Sequence, residues 1–160
     1  MDLTFKVSAR IAKPVAEVFE AIADPSELSR YFTTGGAKGR LETGSTVTWD
    51  FHDFPGAFPV WVVEVVPEKR IVLQWEAGDE PVGDADEATA SGRYRTTVTM
   101  TFEPLDDGRR TLVSISEEGW RETQAALDAS YGNCQGWSQM LCALKAWLEH
   151  CINLREGMYV

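Results

Sequence analysis

Between Cys134 and Leu154 the apolar positions return at helical spacing. Trp137, Met140, Leu141, Leu144, Trp147, Leu148, Cys151 and Leu154 share one sector of the wheel, and Ser138, Gln139, Lys145, Glu149 and Asn153 fall outside it. That sector spans roughly 160°, against the roughly 100° that a helix needs when it rests on a flat surface. Such a helix demands cover from more than one side. No other segment of comparable length has a helical period, so the cover is expected to be a curved sheet.

The rest of the chain reads mostly at period two. Leu3, Phe5, Val7, Ala9 and Ile11 alternate with polar residues, as in a half-buried strand. Pro14 then opens a helix carrying Val15, Val18, Phe19 and Ile22. Asp24-Pro25 closes it and caps a second short helix, with Glu27 in its first turn and Leu28, Tyr31 and Phe32 as its apolar side. Gly35, Gly36 and Gly39 break the chain, and a short strand is expected near Arg40-Leu41. Val47, Trp49 and Phe51 alternate up to a turn at His52-Asp53-Phe54-Pro55-Gly56. The following strand is expected from about Phe58 to Val66, with Trp61, Val63 and Val65 facing away from Glu64.

Pro67 to Arg70 turns the chain into Ile71, Leu73 and Trp75. After an acidic stretch, Tyr94, Thr96, Val98, Met100 and Phe102 alternate, and Asp106-Asp107-Gly108 leads into Thr111, Val113, Ile115 and Glu117 on one face. Residues 121–133 read as a loop or short helix. Strands joined by hairpins are antiparallel, and a twisted sheet of about seven strands curls. The expected fold is α+β: a curved antiparallel sheet of about seven strands wrapped on a long C-terminal helix, with two short helices after the first strand. Residues 1–160 read as one domain of this kind, a length that buries a core without staples.

Charge removes several function classes. A net charge of −10 without a Lys/Arg cluster speaks against nucleic acid and against an anionic membrane surface. The two short helices have helix-turn-helix order, but Arg30 is their lone basic contribution near the turn, so DNA reading is set aside. The start lacks a secretory pattern and no apolar run reaches membrane length, so a soluble cytoplasmic protein is expected. Cys134, Cys142 and Cys151 are too far apart along the helix to pair within it and are expected to be reduced, buried, structural thiols.

No cofactor is expected. The acidic stretch 76–92 cannot bury enough apolar surface to order itself and reads as a mobile loop, and its carboxylates do not follow the spacing of a calcium loop. His52 and His150 have no companion ligands in the sequence, and no nucleophile motif is present.

What remains is an apolar site with a few polar groups. Parity puts Trp49, Phe51, Trp61, Trp75, Tyr94, Val98 and Met100 on the concave face, opposite Trp137, Leu141 and Leu144 of the helix. These side chains either line a cavity or fill it. The polar members of the inward set are Thr96, Glu117 and the Tyr94 hydroxyl. An inward Glu117 beside an apolar wall has its charged form disfavoured and its pKa raised, which makes it a candidate acid or a partner for a ligand donor; at a solvated strand end it simply meets water.

The ordered set of segments resembles the START-like helix-grip superfamily, SRPBCC, of polyketide cyclases and lipid-transport proteins. More narrowly it resembles the branch of the heat-shock-protein-90 ATPase activator homologues. The residues that carry this are Val18 to Pro25 with Leu28 to Phe32, Val63 to Pro67 leading through Arg70 to Trp75, Thr97 to Phe102, and Gly136-Trp137 with Leu141, Leu144-Lys145 and Leu148-Glu149. The resemblance implies a seven-stranded antiparallel sheet gripping the terminal helix, with a cavity that takes hydrophobic small molecules in some members.

The leading expectation is therefore non-catalytic binding of a hydrophobic or aromatic small molecule between sheet and helix. The rivals are a cyclase- or hydrolase-type enzyme using Glu117, Tyr94 or His52, and an interaction module, as a homodimer or a chaperone ATPase co-regulator. The eukaryotic activator carries a further amino-terminal domain that contacts the chaperone, and 160 residues leave no room for one, so co-regulation ranks below ligand binding.

Overall fold

The alternation along the chain becomes one seven-stranded antiparallel sheet in the computed structural model, which describes residues 1–79 and 93–160. Strand β1 (Phe5–Ile11) is followed by helices α1 (Val15–Ala23) and α2 (Pro25–Leu28), then β2 (Gly36–Lys38), β3 (Thr46–Phe51), β4 (Phe54–Val66) and β5 (Arg70–Glu76). Beyond the segment 80–92 come β6 (Arg95–Leu105), a single 3-10 turn at Asp106–Gly108, β7 (Arg110–Glu118) and the long helix α3 (Gln124–His150). The strand order is β1-β7-β6-β5-β4-β3-β2. Most of the expected acidic loop 76–92 lies outside the described residues; Glu76 ends β5.

The concave face carries the core. Val47, Trp49, Val60, Val62, Ile71, Leu73, Val98, Met100, Val113 and Ile115 are buried there, and Trp137, Met140, Leu141 and Leu144 of α3 are buried against them. The free edge of β1 is blunted by α3: Lys145 donates to the Arg10 carbonyl at 2.9 Å, and the Ala12 amide donates to Glu149 at 3.2 Å. Asp24 caps α2 by accepting from the Ser26 amide at 2.8 Å.

Helix α3 is longer at its start and shorter at its end than the apolar pattern predicts. Thr123 caps it, accepting from the Ala126 amide at 3.1 Å, so the helix begins where Ala125, Ala126 and Asp128 give no apolar stripe. Cys151 ends it in the left-handed region at φ 56°, which removes Ile152 and Leu154 from the helix. Strand β2 forms at Gly36–Lys38 and not at Arg40-Leu41, because the Leu41 amide bonds the Ala23 carbonyl at 3.1 Å instead of a strand. The turn after β3 shrinks to His52-Asp53, since Phe51 already pairs with Phe54.

Trp61 is the one concave-face expectation that the structure reverses. Trp61 pairs with Gln74, Val62 with Leu73 and Glu64 with Val72, so Val63 is an extra residue in β4. Such a β-bulge changes the parity of everything on one side of it. Counting back from Val65 therefore puts the wrong residues inside. Phe58, Val60 and Val62 face the helix, while Trp61 lies on the convex face under the Arg95 guanidinium, 3.4 Å from its ring centroid.

Candidate functional site

Two layers of side chains meet between the sheet and α3, one of rings and one of polar groups. In the ring layer, Trp137 stacks on Trp75 (centroids 5.1 Å, planes 28° apart) and on Phe32 (5.8 Å, 25°). Trp49 meets both Trp75 and Trp137 edge to face at 6.0 and 6.5 Å. Phe51 stacks on Phe58 at 5.9 Å, and Phe58 meets Trp75 at 6.0 Å. Offset and T-shaped contacts of this sort contribute about 0.5–1.5 kcal/mol each beyond area burial. The rings fill the space instead of lining a void. Their burial is graded: Trp49 and Trp137 are enclosed, Phe58 and Trp75 are half-buried, and Phe54 at the β3-β4 turn is 59% exposed. The ring surface thus runs unbroken from the interior to solvent.

The polar layer centres on Glu117, which has no solvent exposure. Its Oε1 accepts from Thr96 Oγ1 at 2.6 Å, Trp75 Nε1 at 2.8 Å and Asn133 Nδ2 at 3.1 Å. Its Oε2 accepts from Trp137 Nε1 at 3.0 Å and from Asn133 Nδ2 at 3.3 Å. A carboxylate offers about four acceptor positions, and four donor groups occupy them. Glu117 therefore ties β5, β6, β7 and α3 together through side chains, and it keeps no open position for a substrate proton.

The other predicted site residues separate into two groups. Val98, Met100, Leu141 and Leu144 are fully buried core without polar neighbours of note. Tyr94 stands at the rim, just before β6. Its hydroxyl donates to Asp79 Oδ2 at 2.7 Å and accepts from the Arg121 amide at 3.1 Å, and the Arg121 guanidinium lies 4.2 Å from its ring. Burial pushes this hydroxyl above the usual tyrosine range, and the Asp79 carboxylate acts in the same direction. It is not within the Glu117 cluster.

Phe32, Phe58 and Asn133 belong to the site although the apolar pattern does not single them out for it. Phe58 is detectable as the cross-strand partner of Trp49, and Asn133 as the position one helical turn before Trp137.

Arg155 is a further buried polar residue, and the sequence gives no signal for it. It lies in the tail after α3, is 8% exposed, and donates through Nη2 to Asp53 Oδ1 at 2.8 Å and through Nη1 to Gln139 Oε1. Its guanidinium carbon lies 5.0, 5.7 and 5.4 Å from the ring centroids of Phe51, Phe32 and Tyr159. Beside it is a cleft of about 380 Å³ whose lining includes Tyr31, His52, Asp53 and Tyr159. A second depression of about 530 Å³ lies between α1 and β4, at Phe19, Leu41 and Val65, next to the Glu20–Arg40 ion pair.

Among the described residues no group of three or more His, Cys, Asp or Glu side chains is placed to hold a metal ion, and no helix is long and apolar enough to cross a membrane. The three cysteines are free. Cys134 is half-buried, and Cys142 and Cys151 are exposed, contrary to the expectation of buried thiols: Cys142 faces away from the sheet and Cys151 lies past the last helical turn.

Comparison with known proteins agrees with this architecture. The model of a family described as "Activator of Hsp90 ATPase homolog 1-like protein" matches residues 12–149. Among solved structures, protein MLL2253 from Mesorhizobium loti superposes with a TM-score of 0.73 at 21% identity, over 94% of this chain and 99% of that one. SSP2350 from Staphylococcus saprophyticus gives 0.71 at 22% identity, over 96% of both chains. The Aha1 dimer from Colwellia psychrerythraea, a solution structure, gives 0.70 at 20% identity, over 92% of this chain and 97% of that one. No curated protein sequence matches.

Proposed function

The chain belongs to the family of Activator of Hsp90 ATPase homolog 1-like proteins, and from that premise we propose that it is a non-catalytic binding protein for a hydrophobic or aromatic small molecule. The ligand would lie against the solvent-reached end of the ring surface, at Phe58 and Trp75. The observation that carries this reading is the graded burial of that surface: a flat aromatic molecule reaching Phe58 and Trp75 from solvent finds faces continuous with the enclosed Trp49 and Trp137. Thr96, Glu117 and Asn133 hold the two indoles in register. Val98, Met100, Leu141 and Leu144 supply the apolar floor.

A cyclase or hydrolase reading draws no support from Glu117, whose acceptor positions are all filled by the protein's own donors. Tyr94 is likewise committed to Asp79 and the Arg121 amide.

The test is saturable binding of a neutral fluorescent probe, Nile red, to the full chain. Trp75→Leu should weaken binding by roughly tenfold, the loss of one stacking face worth about 1–1.5 kcal/mol. Trp61→Ala, on the convex face, should leave it unchanged. Absence of saturable binding, or equal affinity in Trp75→Leu and the parent, would overturn the proposal.

A second reading, an interaction module acting as a homodimer or as a chaperone ATPase co-regulator, is favoured by a different observation. Phe54, Ile152, Tyr159 and Val160 are exposed apolar side chains, which a partner surface could cover. The relative from Colwellia psychrerythraea is described as a dimer. Sedimentation equilibrium separates this reading from the first: a monomer at all concentrations removes the homodimer.

A further inference from the structure

We propose that Phe32, Phe51, Asp53 and Gln139 form a binding site for a flat, delocalised organic cation, an amidinium or guanidinium, and that the chain's own Arg155 fills this site. The site shares Phe32 and Phe51 with the ring layer but lies at its Asp53 end, away from Phe58 and Trp75, and does not depend on a neutral ligand binding there.

Burying a charge is costly unless it is paired and hydrogen-bonded. The pocket meets both needs with groups that do not belong to the tail. Asp53 at the β3-β4 turn supplies the countercharge at 2.8 Å, Gln139 of α3 supplies a carbonyl oxygen, and Phe32 and Phe51 present rings at 5.7 and 5.0 Å, within cation–π range. Phe51 is on β3 and Gln139 on α3, while Phe32 is packed between Trp49 and Trp137. The pocket is therefore built on the rigid part of the fold.

The occupant, by contrast, is carried by an irregular tail that meets the fold through side chains, among them Met158, whose Sδ accepts from Gln139 Nε2 at 2.8 Å. Residues 151–160 have no regular secondary structure, and Ile152, Leu154, Glu156 and Met158 around Arg155 are exposed. Backbone bonds in this stretch are local: the Arg155 and Glu156 amides donate to Asn153 Oδ1, and the Met158 amide donates to the Arg155 carbonyl. The site in turn leaves Arg155 incompletely satisfied, since its Nε is buried without an acceptor. A small cation entering through the adjoining cleft of about 380 Å³ can take the same two acceptors and leave its remaining donors toward the cleft. With a net charge of −10, the long-range field of the protein favours cations over anions. The site thus selects planar cations with two parallel or divergent N–H edges, and it discriminates against neutral isosteres, which cannot replace the charge paired with Asp53.

The test uses the full chain and benzamidine as the probe, with benzamide as its neutral isostere. Arg155→Ala vacates the pocket and should bind one benzamidine by calorimetry, at least roughly tenfold more tightly than the parent protein, whose site is filled. Adding Asp53→Asn to Arg155→Ala should abolish most of that gain. The same binding should raise the thermal midpoint of Arg155→Ala saturably and leave the parent's nearly unmoved. Should Arg155→Ala not fold, Arg155→Lys, which keeps the charge but loses the planar fork, provides the comparison: benzamidine should bind the Arg155→Lys protein by displacing the ammonium and should not displace Arg155 from the parent. The proposal is overturned if benzamidine binds the variant and parent proteins equally, if Asp53→Asn changes nothing, or if benzamide binds as well as benzamidine.

Discussion

Replacing Glu117 by Gln keeps the side-chain volume and removes one acceptor oxygen from a site where every neighbour is a donor. The amide has two orientations. With its carbonyl in the place of Oε1 it keeps Trp75, Thr96 and Asn133, but its NH₂ then opposes the Trp137 indole N–H across a distance that was 3.0 Å. The reverse orientation keeps Trp137 and lets the Thr96 hydroxyl turn to accept, but it opposes the Trp75 indole N–H, so either orientation leaves one indole donor without its acceptor. Trp137 is 1% exposed, and no water can replace the lost acceptor. One buried donor left unsatisfied costs about 1–3 kcal/mol. At a urea slope of about 2 kcal/mol/M, the unfolding midpoint should fall by about 0.5–1.5 M.

The cause is isolated by a double-mutant cycle with Trp137→Phe, which deletes the opposing N–H. Part of the Glu117→Gln penalty should vanish in the Trp137→Phe background, giving a coupling of about 1 kcal/mol or more. A midpoint unchanged by Glu117→Gln, or a coupling within error of zero, would refute the view that the carboxylate is needed as an acceptor at both oxygens.

Two further outcomes follow from the packing and the surface charges. Leu144 is fully buried against the sheet, so Leu144→Ala should lower stability by about 2–5 kcal/mol in urea unfolding. Bonds from the Arg40 guanidinium at 2.8 and 2.6 Å hold the Glu20 carboxyl below its ordinary 4.5, against a smaller opposing push from burial. Because the folded-state value is the lower one, this contribution is complete above 4.5 and is lost as pH falls through the folded-state value. Both side chains are well exposed, so the effect is about a few tenths of a kcal/mol. Arg40→Gln should flatten the acid limb of the urea midpoint against pH by that amount, and an unchanged limb would show that the pair is not felt.

The architecture is legible because it depends on period. Two-residue alternation locates β1, β3, β5, β6 and β7, and the wide apolar sector of α3 requires a curved partner. The errors occur where period carries no information. Val63 is an extra residue in β4 with nothing in its identity to mark it, and so parity assigns Trp61 to the wrong face. Thr123, which starts α3, is a polar capping position outside the apolar pattern, and Cys151 fits that pattern but ends the helix by adopting the left-handed cap. Arg155 follows the last periodic element, and its burial depends on Asp53, 102 residues away, which no local pattern can report.

Glu117 shows how a correct placement can still mislead about role. Parity with Thr111, Val113 and Ile115 puts its carboxyl inside, which is where it is. The inference toward acid chemistry assumes apolar neighbours, because Trp75 and Trp137 count as apolar in any periodic reading. Each also carries one N–H, and both N–H groups point at the same carboxylate. An indole fixed at its N–H edge has little freedom to tilt, so the pair of bonds sets the planes of both rings, and the rings stack at 5.1 Å and 28°. The buried acid is thereby a positioning device for the aromatic surface. Its satisfied network specifies one arrangement of α3 on the sheet where an apolar residue would permit several. That is why the stacking of the rings and the stability of the grip depend on the same four donors.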